Sequence, residues 1–333
     1  MISSIKETCK KGFLETTPLF KHGLTISVKP KTDILFEEHG GLLVTGMTAT
    51  PYIDDFKEFF DTTFFKDEDK VSYGSVAFSD ISFFQIKEET QATITSTGTK
   101  VLCILAEADA SITLTSSHSV RVHIICKNNS SVSLLHTILE DGISHKVSKI
   151  HSGKVTVTDI LLTKSYIRSH VKHDLVGENS SSNIVAFYLT KGEGICDVYT
   201  ENVHSAKQTF SDIVTKGVLL DSSKALSRGL VKISENAAHS EGYEQQDALV
   251  LSSRAEADAI PNLVIHNHDV KCSHGSTIGQ IDEEQLFYLQ SRGLSKDAAQ
   301  NLLVQGYFAP AIDAIENDVL KETVRQTIQK GLE

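Results

Sequence analysis

Tryptophan is absent from the 333 residues, and the chain has no excess of positive charge, since its formal net charge is −11. Lys and Arg form no basic run anywhere in the sequence. A protein that binds a nucleic-acid backbone needs clustered Lys and Arg, so we expect no nucleic-acid partner. The lack of tryptophan also leaves few aromatic platforms for binding sugars.

Long hydrophobic runs are missing as well. No apolar stretch approaches the ~20 residues of a membrane span. The first residues, MISSIKETCKKGF, lack the apolar core of a signal peptide. The sequence therefore predicts no membrane association and a location in the cytoplasm or an organelle stroma.

Cysteines are few and widely separated, and no two of them form a CxxC pair. Such a pattern is typical of reduced thiols in a reducing compartment. The five cysteines are Cys9, Cys103, Cys126, Cys196 and Cys272.

Several catalytic motifs are absent from the sequence. There is no GxxxxGK[ST] loop for nucleotide phosphates, no GxSxG elbow and no HExxH pair. The segment Lys191–Gly194 is a turn without the GxGxxG spacing of a dinucleotide site. The serine run Ser180–Ser182 is interpreted as an exposed loop. We therefore expect no nucleotide hydrolysis by this chain.

Residues 71–279 are predicted to be all-β. Short alternating or apolar runs rich in Val, Ile, Thr and Ser are interrupted every few residues by Gly, Asn, Asp or Ser. Examples are Val101–Leu105, Val120–Cys126, Val155–Leu162 and Ile184–Leu189. The residues alone leave a β-helix and a β-sandwich open, because no strict period is visible.

Residues 1–70 are predicted to form a small mixed α/β cap. Helical patterns cover Ile5–Leu14 and Tyr52–Phe65, and strand-like runs cover Leu24–Val28 and Ile34–Phe36. No residue in this part has a visible chemical role.

Residues 280–333 are predicted to form a helical subdomain. Asp282 is a good N-cap and has Gln285 three residues later, the spacing of a capping box. We predict three helices, bounded by capping residues, glycines and a proline suited to a first turn: Asp282 to Gly293, Ser295 to Gly306, and Pro310 to Gly331.

Cys272 and His274 are the candidate metal-binding residues. In an extended strand they point to the same side, ~7 Å apart. His266 and His268 would share that side if the strand were unbroken. A complete zinc or iron–sulfur site needs about four ligands, so the missing ones would come from a second chain. The alternative is that Cys272 packs as a small hydrophobic residue and His274 is only hydrogen-bonded.

The stretch that contains this pair, DVKCSHGSTIGQIDEEQLFYLQSRG, resembles the C-terminal signature of the SufB/SufD family of iron–sulfur cluster assembly scaffolds. The similarity extends to His204–Ile233, Gln245–Ile265 and Leu302–Phe308. Where SufB-like chains have a cysteine and a His-Glu pair, this sequence has Ala255 and His274-Gly275. The tetrapeptide KCSH is similar to SufD.

This resemblance implies a mainly β fold, with a right-handed parallel β-helix followed by the helical subdomain. It implies an assembly scaffold rather than an enzyme. Cys272 and His274 would be candidate ligands of a nascent cluster at a dimer interface. The cluster would be transient and shared with a partner, with none permanently bound.

The resemblance also implies two partners, a SufB-like subunit and a SufC-like ATPase, the latter bound through the C-terminal helices. A homodimeric scaffold, in a SUF system with fewer components, is an alternative. His204 and His239 lie in the similar stretch and are interpreted as structural.

A β-helical polysaccharide lyase or hydrolase is the alternative from another class of protein. Such enzymes need carboxylates clustered in a surface groove. The candidate carboxylates, Asp159, Asp174 and Asp197, are scattered along the sequence.

Overall fold

The computed structural model describes residues 34–39, 42–45, 80–96, 100–116, 119–139 and 141–332. The predicted helices at Ile5–Leu14 and Tyr52–Phe65 lie outside the described residues, as does the predicted strand at Leu24–Val28.

The described part of the chain contains a long series of strands followed by three helices. The strands are β1 (Ile34–His39), β2 (Leu42–Thr45), β3 (Asp80–Ile86), β4 (Thr90–Ser96), β5 (Lys100–Ala106), β6 (Ala110–Ser116), β7 (Val120–Cys126), β8 (Ser131–Leu139), β9 (Gly142–Ile150), β10 (Lys154–Thr163), β11 (Tyr166–Leu175), β12 (Ser181–Thr190), β13 (Ile195–His204), β14 (Phe210–Leu219), β15 (Lys224–Ile233), β16 (Glu241–Val250), β17 (Glu256–Ile265) and β18 (Lys271–Gln280). The helices are α1 (Glu283–Ser291), α2 (Lys296–Asp313) and α3 (Asp318–Leu332).

From β3 onward, successive strands alternate between two sheets. The even sheet has the order β1-β4-β6-β8-β10-β12-β14-β16-β18, and the odd sheet has the order β17-β15-β13-β11-β9-β7-β5-β3-β2. Each even strand pairs in parallel with the next even strand, and each odd strand with the next odd strand. This is the right-handed parallel β-helix with two strands per coil, so the predicted fold class is confirmed and the sandwich alternative is wrong.

Alternation of side chains explains why these segments coil around a common interior. β6 (ASITLTS) alternates buried and half-buried residues along its whole length, as a strand with one face in a core requires. The strands lengthen from seven residues in β3–β7 to ten in β10–β18. The interior is apolar around the short strands, and polar groups such as His136, Lys146 and Asp159 are buried farther along.

The two ends of the β-helix differ. At the first end, β1 pairs antiparallel with β4, and β2 pairs antiparallel with β3. At the other end, β17 and β18 are the last strands of their sheets, and no further strand of the described chain pairs with either. We call this pair of strands the open end.

The serine run was predicted wrongly as an exposed loop. Ser180 and Ser182 are buried. The Ser182 hydroxyl donates to Asn202 Oδ1 over 2.8 Å inside the β-helix. The alternation of β12 places Ser182 on the inner face of the strand, where the Asn202 amide oxygen accepts its hydrogen bond.

The first two helices begin where the sequence predicts, but the second ends later and the third begins later than predicted. Asp282 accepts from the backbone N–H groups of Glu284 and Gln285, and Ser295 accepts from that of Ala298. The predicted break at Gly306 and the predicted helix start at Pro310 are both wrong.

Instead, α2 continues to Asp313 with Pro310 inside it. A proline inside a helix removes one backbone hydrogen bond and crowds the preceding turn. Burial of Val304, Phe308 and Ile312 against the outer face of the even sheet offsets this cost. The rings of Phe187 and Phe308 meet edge to face, with centroids 5.7 Å apart. The third helix begins later, where the Asn317 side chain accepts from two backbone N–H groups.

None of the helices in the described residues is long and apolar enough to cross a membrane.

Candidate functional site

Cys272 and His274 lie on β18, at the open end, and point to the same side of the strand. That side faces the interior of the β-helix, because Cys272 packs against the main core cluster. His266 and His268 follow the end of β17 and precede β18. The condition of an unbroken strand is not met, because the turn between the two sheets separates these histidines from β18.

Cys272 is half-buried, whereas Cys103, Cys126 and Cys196 are fully buried. Partial burial raises the pKa of the Cys272 thiol, and a hydrogen bond with the backbone of Gly242 opposes the shift. Gly242 pairs with Cys272 in register. A Cβ atom at position 242 would lie 2.6 Å from Val231 Cγ1, so the packed interior leaves no room for a side chain there.

His274 is exposed at the rim of the open end. Within the described chain its ring makes no hydrogen bond. Both ring nitrogens are therefore available to a ligand or to a second molecule.

Glu244 lies directly beside His274. The two residues are register partners on the parallel strands β16 and β18, so their side chains point to the same side. Glu244 is only 3% exposed. Its Oε1 accepts from Gln246 Nε2 over 2.5 Å. Burial raises the pKa of Glu244 to about 7.

This arrangement is an incomplete donor set for a metal centre. Among the residues that the structure describes, no three His, Cys, Asp or Glu side chains are placed to hold a metal ion together. One thiol and one imidazole fall short of the about four ligands that an iron–sulfur centre takes. A complete site needs groups from outside the described residues.

The two other histidines singled out in the sequence have structural surroundings. His204 is buried, with Nδ1 2.7 Å from Thr209 Oγ1 and Nε2 2.8 Å from Ser211 Oγ. Burial lowers the pKa of His204 to about 4, so the ring is neutral at neutral pH. His239 is exposed in a turn, and its Nδ1 lies 3.0 Å from Asp269 Oδ2.

The three aspartates considered for a carbohydrate-active site do not form a groove. Asp159 lies inside the β-helix, 2.8 Å from Lys146 Nζ. Asp174 accepts from Ser205 over 2.7 Å. Asp197 lies between two arginines of neighbouring strands, Arg168 and Arg228. Each carboxylate is held by its own partners, so the arrangement does not support a pair of catalytic acids.

Comparison with known proteins shows which family the chain belongs to. The family model for the SUF system FeS cluster assembly SufBD core domain matches residues 85–307, which is more than half of the chain. The chain belongs to the SufBD family. The match begins in β3, takes in the open end with Cys272 and His274, and ends within α2.

Two SufD proteins are among the relatives of this SufBD chain. It is 33% identical over 172 residues to the iron–sulfur cluster assembly protein SufD of Escherichia coli, covering 52% of this chain and 41% of that protein. It is 29% identical over 157 residues to the SufD of Bacillus subtilis, covering 47% and 36% of the two chains. A SufBD family protein of Synechocystis is 32% identical over 148 residues, covering 44% and 31%. These matches therefore span less than half of the relatives' lengths.

Glu244 is the group at the open end of this SufBD chain that sequence reasoning missed. It lies 28 positions before Cys272 in the segment GYEQQ, and nothing in the sequence links the two. The signal was the alternation of β16, which places Gly242, Glu244 and Gln246 on one face. Only the register between β16 and β18 brings that face next to His274.

Proposed function

We propose that the chain is a SufD-like scaffold subunit of the SUF iron–sulfur assembly machinery, which pairs with a SufB-like subunit through the open end. The single observation that carries this proposal is the difference between the two ends of the β-helix. The first end is covered by antiparallel strands, whereas the second presents strand edges beside Cys272 and His274 that no other described strand pairs with.

Unpaired strand edges favour pairing with another chain. The N–H and C=O groups along β17 and β18 that face away from the β-helix are a template for strand addition. Ile260, Val264, Ile265 and Ile278 on these strands are exposed apolar side chains. Contact with a second β-helix would bury them and extend each sheet across the two chains.

The pairing would also complete the donor set. Cys272 and His274 supply a thiol and an imidazole, which suit iron and inorganic sulfide as the cargo being assembled. The remaining ligands would come from the SufB-like partner. Partial burial raises the pKa of Cys272 and so favours the neutral thiol, and binding of iron would displace its proton.

The C-terminal helices are the proposed binding surface for a SufC-like ATPase. Their inner faces cover the even sheet through residues such as Phe308 and Val324. Their outer faces carry large apolar side chains in water, with Phe287 73% exposed and Val319 69% exposed. Exposed apolar residues of this size mark interaction surfaces when they lie on one part of a molecule.

We propose a division of the chain that follows these roles. Residues 71–279 form the β-helical core and residues 280–333 form the helical subdomain. Residues 1–70 form the N-terminal cap. The protein acts as a scaffold without catalysing nucleotide hydrolysis itself, and the cluster it helps to build is transient.

Complex formation tests this function. The chain is mixed with SufB-like and SufC-like proteins and analysed by size-exclusion chromatography with light scattering. We expect a complex that contains all three proteins, and loss of the SufB-like subunit when Ile278→Glu places a charge at the open end. The matched control, Ile195→Glu, changes an exposed isoleucine away from the open end. A homodimer that excludes the SufB-like protein would favour the homodimeric alternative.

A further inference from the structure

The buried carboxylate beside His274 has no role in the proposal so far. We propose that Glu244 is a positioning residue for His274, whose ring N–H donates to the Glu244 carboxylate when a second chain covers the open end. The other ring nitrogen then faces the cluster. This inference rests on the proposed function and adds a named residue to the same site.

The register of the even sheet places the two side chains together. Glu244 and His274 are paired residues on adjacent parallel strands. Adjacent strands lie about 4.8 Å apart, and paired residues project to the same side. A ring turned inward from His274 therefore lies beside the Glu244 side chain.

The Glu244 carboxylate extends across the interior toward the odd sheet. Its Oε1 occupies the place that a Cβ atom would take at Gly229 on β15, only 1.5 Å away. A side chain at position 229 would collide with this carboxylate. Glycine is needed there for space and not for the geometry of a turn. The carboxylate lies one coil below the rim, under the space that an inward imidazole would fill.

One oxygen of this carboxylate is left for another donor. Gln246 Nε2 donates a hydrogen bond to Oε1. Oε2 is buried and accepts no hydrogen bond of normal geometry in the described part of the chain, although the backbone of Asn262 lies near the carboxyl group. A buried acceptor without a donor is costly, about 1–3 kcal/mol, so such atoms usually have a function. His274, the register partner of Glu244, has a ring N–H that makes no hydrogen bond in the described part of the chain.

The chemistry of metal-bound histidine supports the pairing. A ligating imidazole usually donates its second ring N–H to a carboxylate or carbonyl, which fixes the tautomer and strengthens the ligand. Loss of such a partner typically lowers metal affinity about 10–100-fold. A purely structural Glu244 would change stability but not the tautomer of His274.

The test uses the complex with the SufB-like and SufC-like proteins, prepared anaerobically. Iron affinity is measured for the wild type, His274→Ala, Glu244→Gln and the double variant. Glu241→Gln is the matched control, because it makes the same chemical change on the same strand at an outward, half-buried position, where the carboxylate pairs with Lys271. In parallel, ring ¹⁵N spectra of His274 report its tautomer in the iron-free complex. Thermal melts verify that each variant is folded. Gly229→Ala is a second variant that displaces the Glu244 carboxylate.

We expect Glu244→Gln to weaken iron binding about 10–100-fold and to turn a single His274 tautomer into a mixture. The double variant should bind iron no more weakly than His274→Ala alone, since both changes remove one interaction. Wild-type iron affinity in Glu244→Gln, or additive losses in the double variant, would overturn the inference. If His274→Ala itself binds iron normally, the ligand role in the proposed function fails. The ¹⁵N spectra still decide the contact in that case, and unchanged signals in Glu244→Gln overturn it.

Discussion

Inside the β-helix, Lys146 Nζ lies 2.8 Å from Asp159 Oδ2, and neither side chain is exposed to solvent by more than 1%. The ammonium group also donates to Ser144 Oγ over 2.6 Å, and Ser169 donates to the same carboxylate oxygen. Burial lowers the pKa of Lys146, and the Asp159 carboxylate opposes that shift. The two buried groups are therefore held together by direct hydrogen bonds and by the neighbouring serine hydroxyls.

Removing one member of this pair should strongly destabilise the fold. We expect Lys146→Met to lower the free energy of unfolding by about 3–5 kcal/mol, because it leaves the Asp159 carboxylate buried without its counter-charge. Replacing both residues, as in Lys146→Met with Asp159→Leu, should recover most of that loss. Urea denaturation measures both effects. The control is Lys224→Met at the exposed pair with Glu256, where we expect a change below about 1 kcal/mol. Equal effects at the two sites would contradict this account.

Glu244 should make stability depend on pH. Burial raises the pKa of this carboxyl group from 4.5 to about 7 in the folded protein. The folded state therefore binds the proton more tightly than the unfolded chain does. The resulting stabilisation is fully present below the unfolded pKa, falls as pH rises toward 7 and is lost above it.

Glu244→Gln should remove that dependence. At pH 8 we expect the variant to be more stable than the wild type by about 1–3 kcal/mol, with the difference shrinking toward pH 4.5. Thermal or urea unfolding of the isolated chain between pH 4.5 and 8 measures the difference. A constant difference across this range would mean that Glu244 titrates normally.

Gly217 should be intolerant of any side chain. A Cβ atom at this position would lie 1.7 Å from the ring of Tyr188, which is buried in the interior. We expect Gly217→Ala to cost about 1–3 kcal/mol or more, because the ring has to move in a packed core. The cost should fall when Tyr188→Ala removes the ring. Gly279→Ala is the control, since nothing lies within 4 Å of a Cβ atom there, and its melting temperature should stay near that of the wild type.

Much of the fold follows from local patterns in the sequence. The predicted runs Val101–Leu105, Val155–Leu162 and Ile184–Leu189 all fall within strands, because alternation is a local property. The N-caps Asp282 and Ser295 are also local signals, and both are confirmed. Coiling of the strands into a β-helix depends on pairing between segments that are distant in sequence. Here the family resemblance was needed.

The errors arose where tertiary contacts override local rules. Gly306 and Pro310 are helix breakers in isolation, yet α2 passes through both because its apolar face is buried on the even sheet. Ser182 is hydrophilic, yet its place in the alternation of β12 puts it inside. The shared side of Cys272 and His274 follows from a period of two, whereas the place of Glu244 beside them depends on a register that no single sequence displays.

The outer faces of the C-terminal helices should control binding of the ATPase. We expect Phe287→Ser and Val319→Ser together to weaken binding of a SufC-like protein by at least about tenfold, because exposed aromatic and apolar anchors dominate such interfaces. Both side chains are largely exposed, so the melting temperature should change little. Isothermal titration calorimetry measures the affinity. Ile195→Ser, an exposed apolar residue on the β-helix, is the matched control. Equal losses in the control would show that the effect is not specific to the helices.

The content of iron and acid-labile sulfide in the anaerobically co-expressed complex tests the central claim most directly. The comparison is between the wild type and the Cys272→Ser, His274→Ala double variant, each purified with SufB-like and SufC-like partners. The account predicts that the variant folds and forms the complex but retains clearly less iron and sulfide. A double variant that retains as much of both as the wild type would contradict the claim that the open end supplies ligands to the cluster.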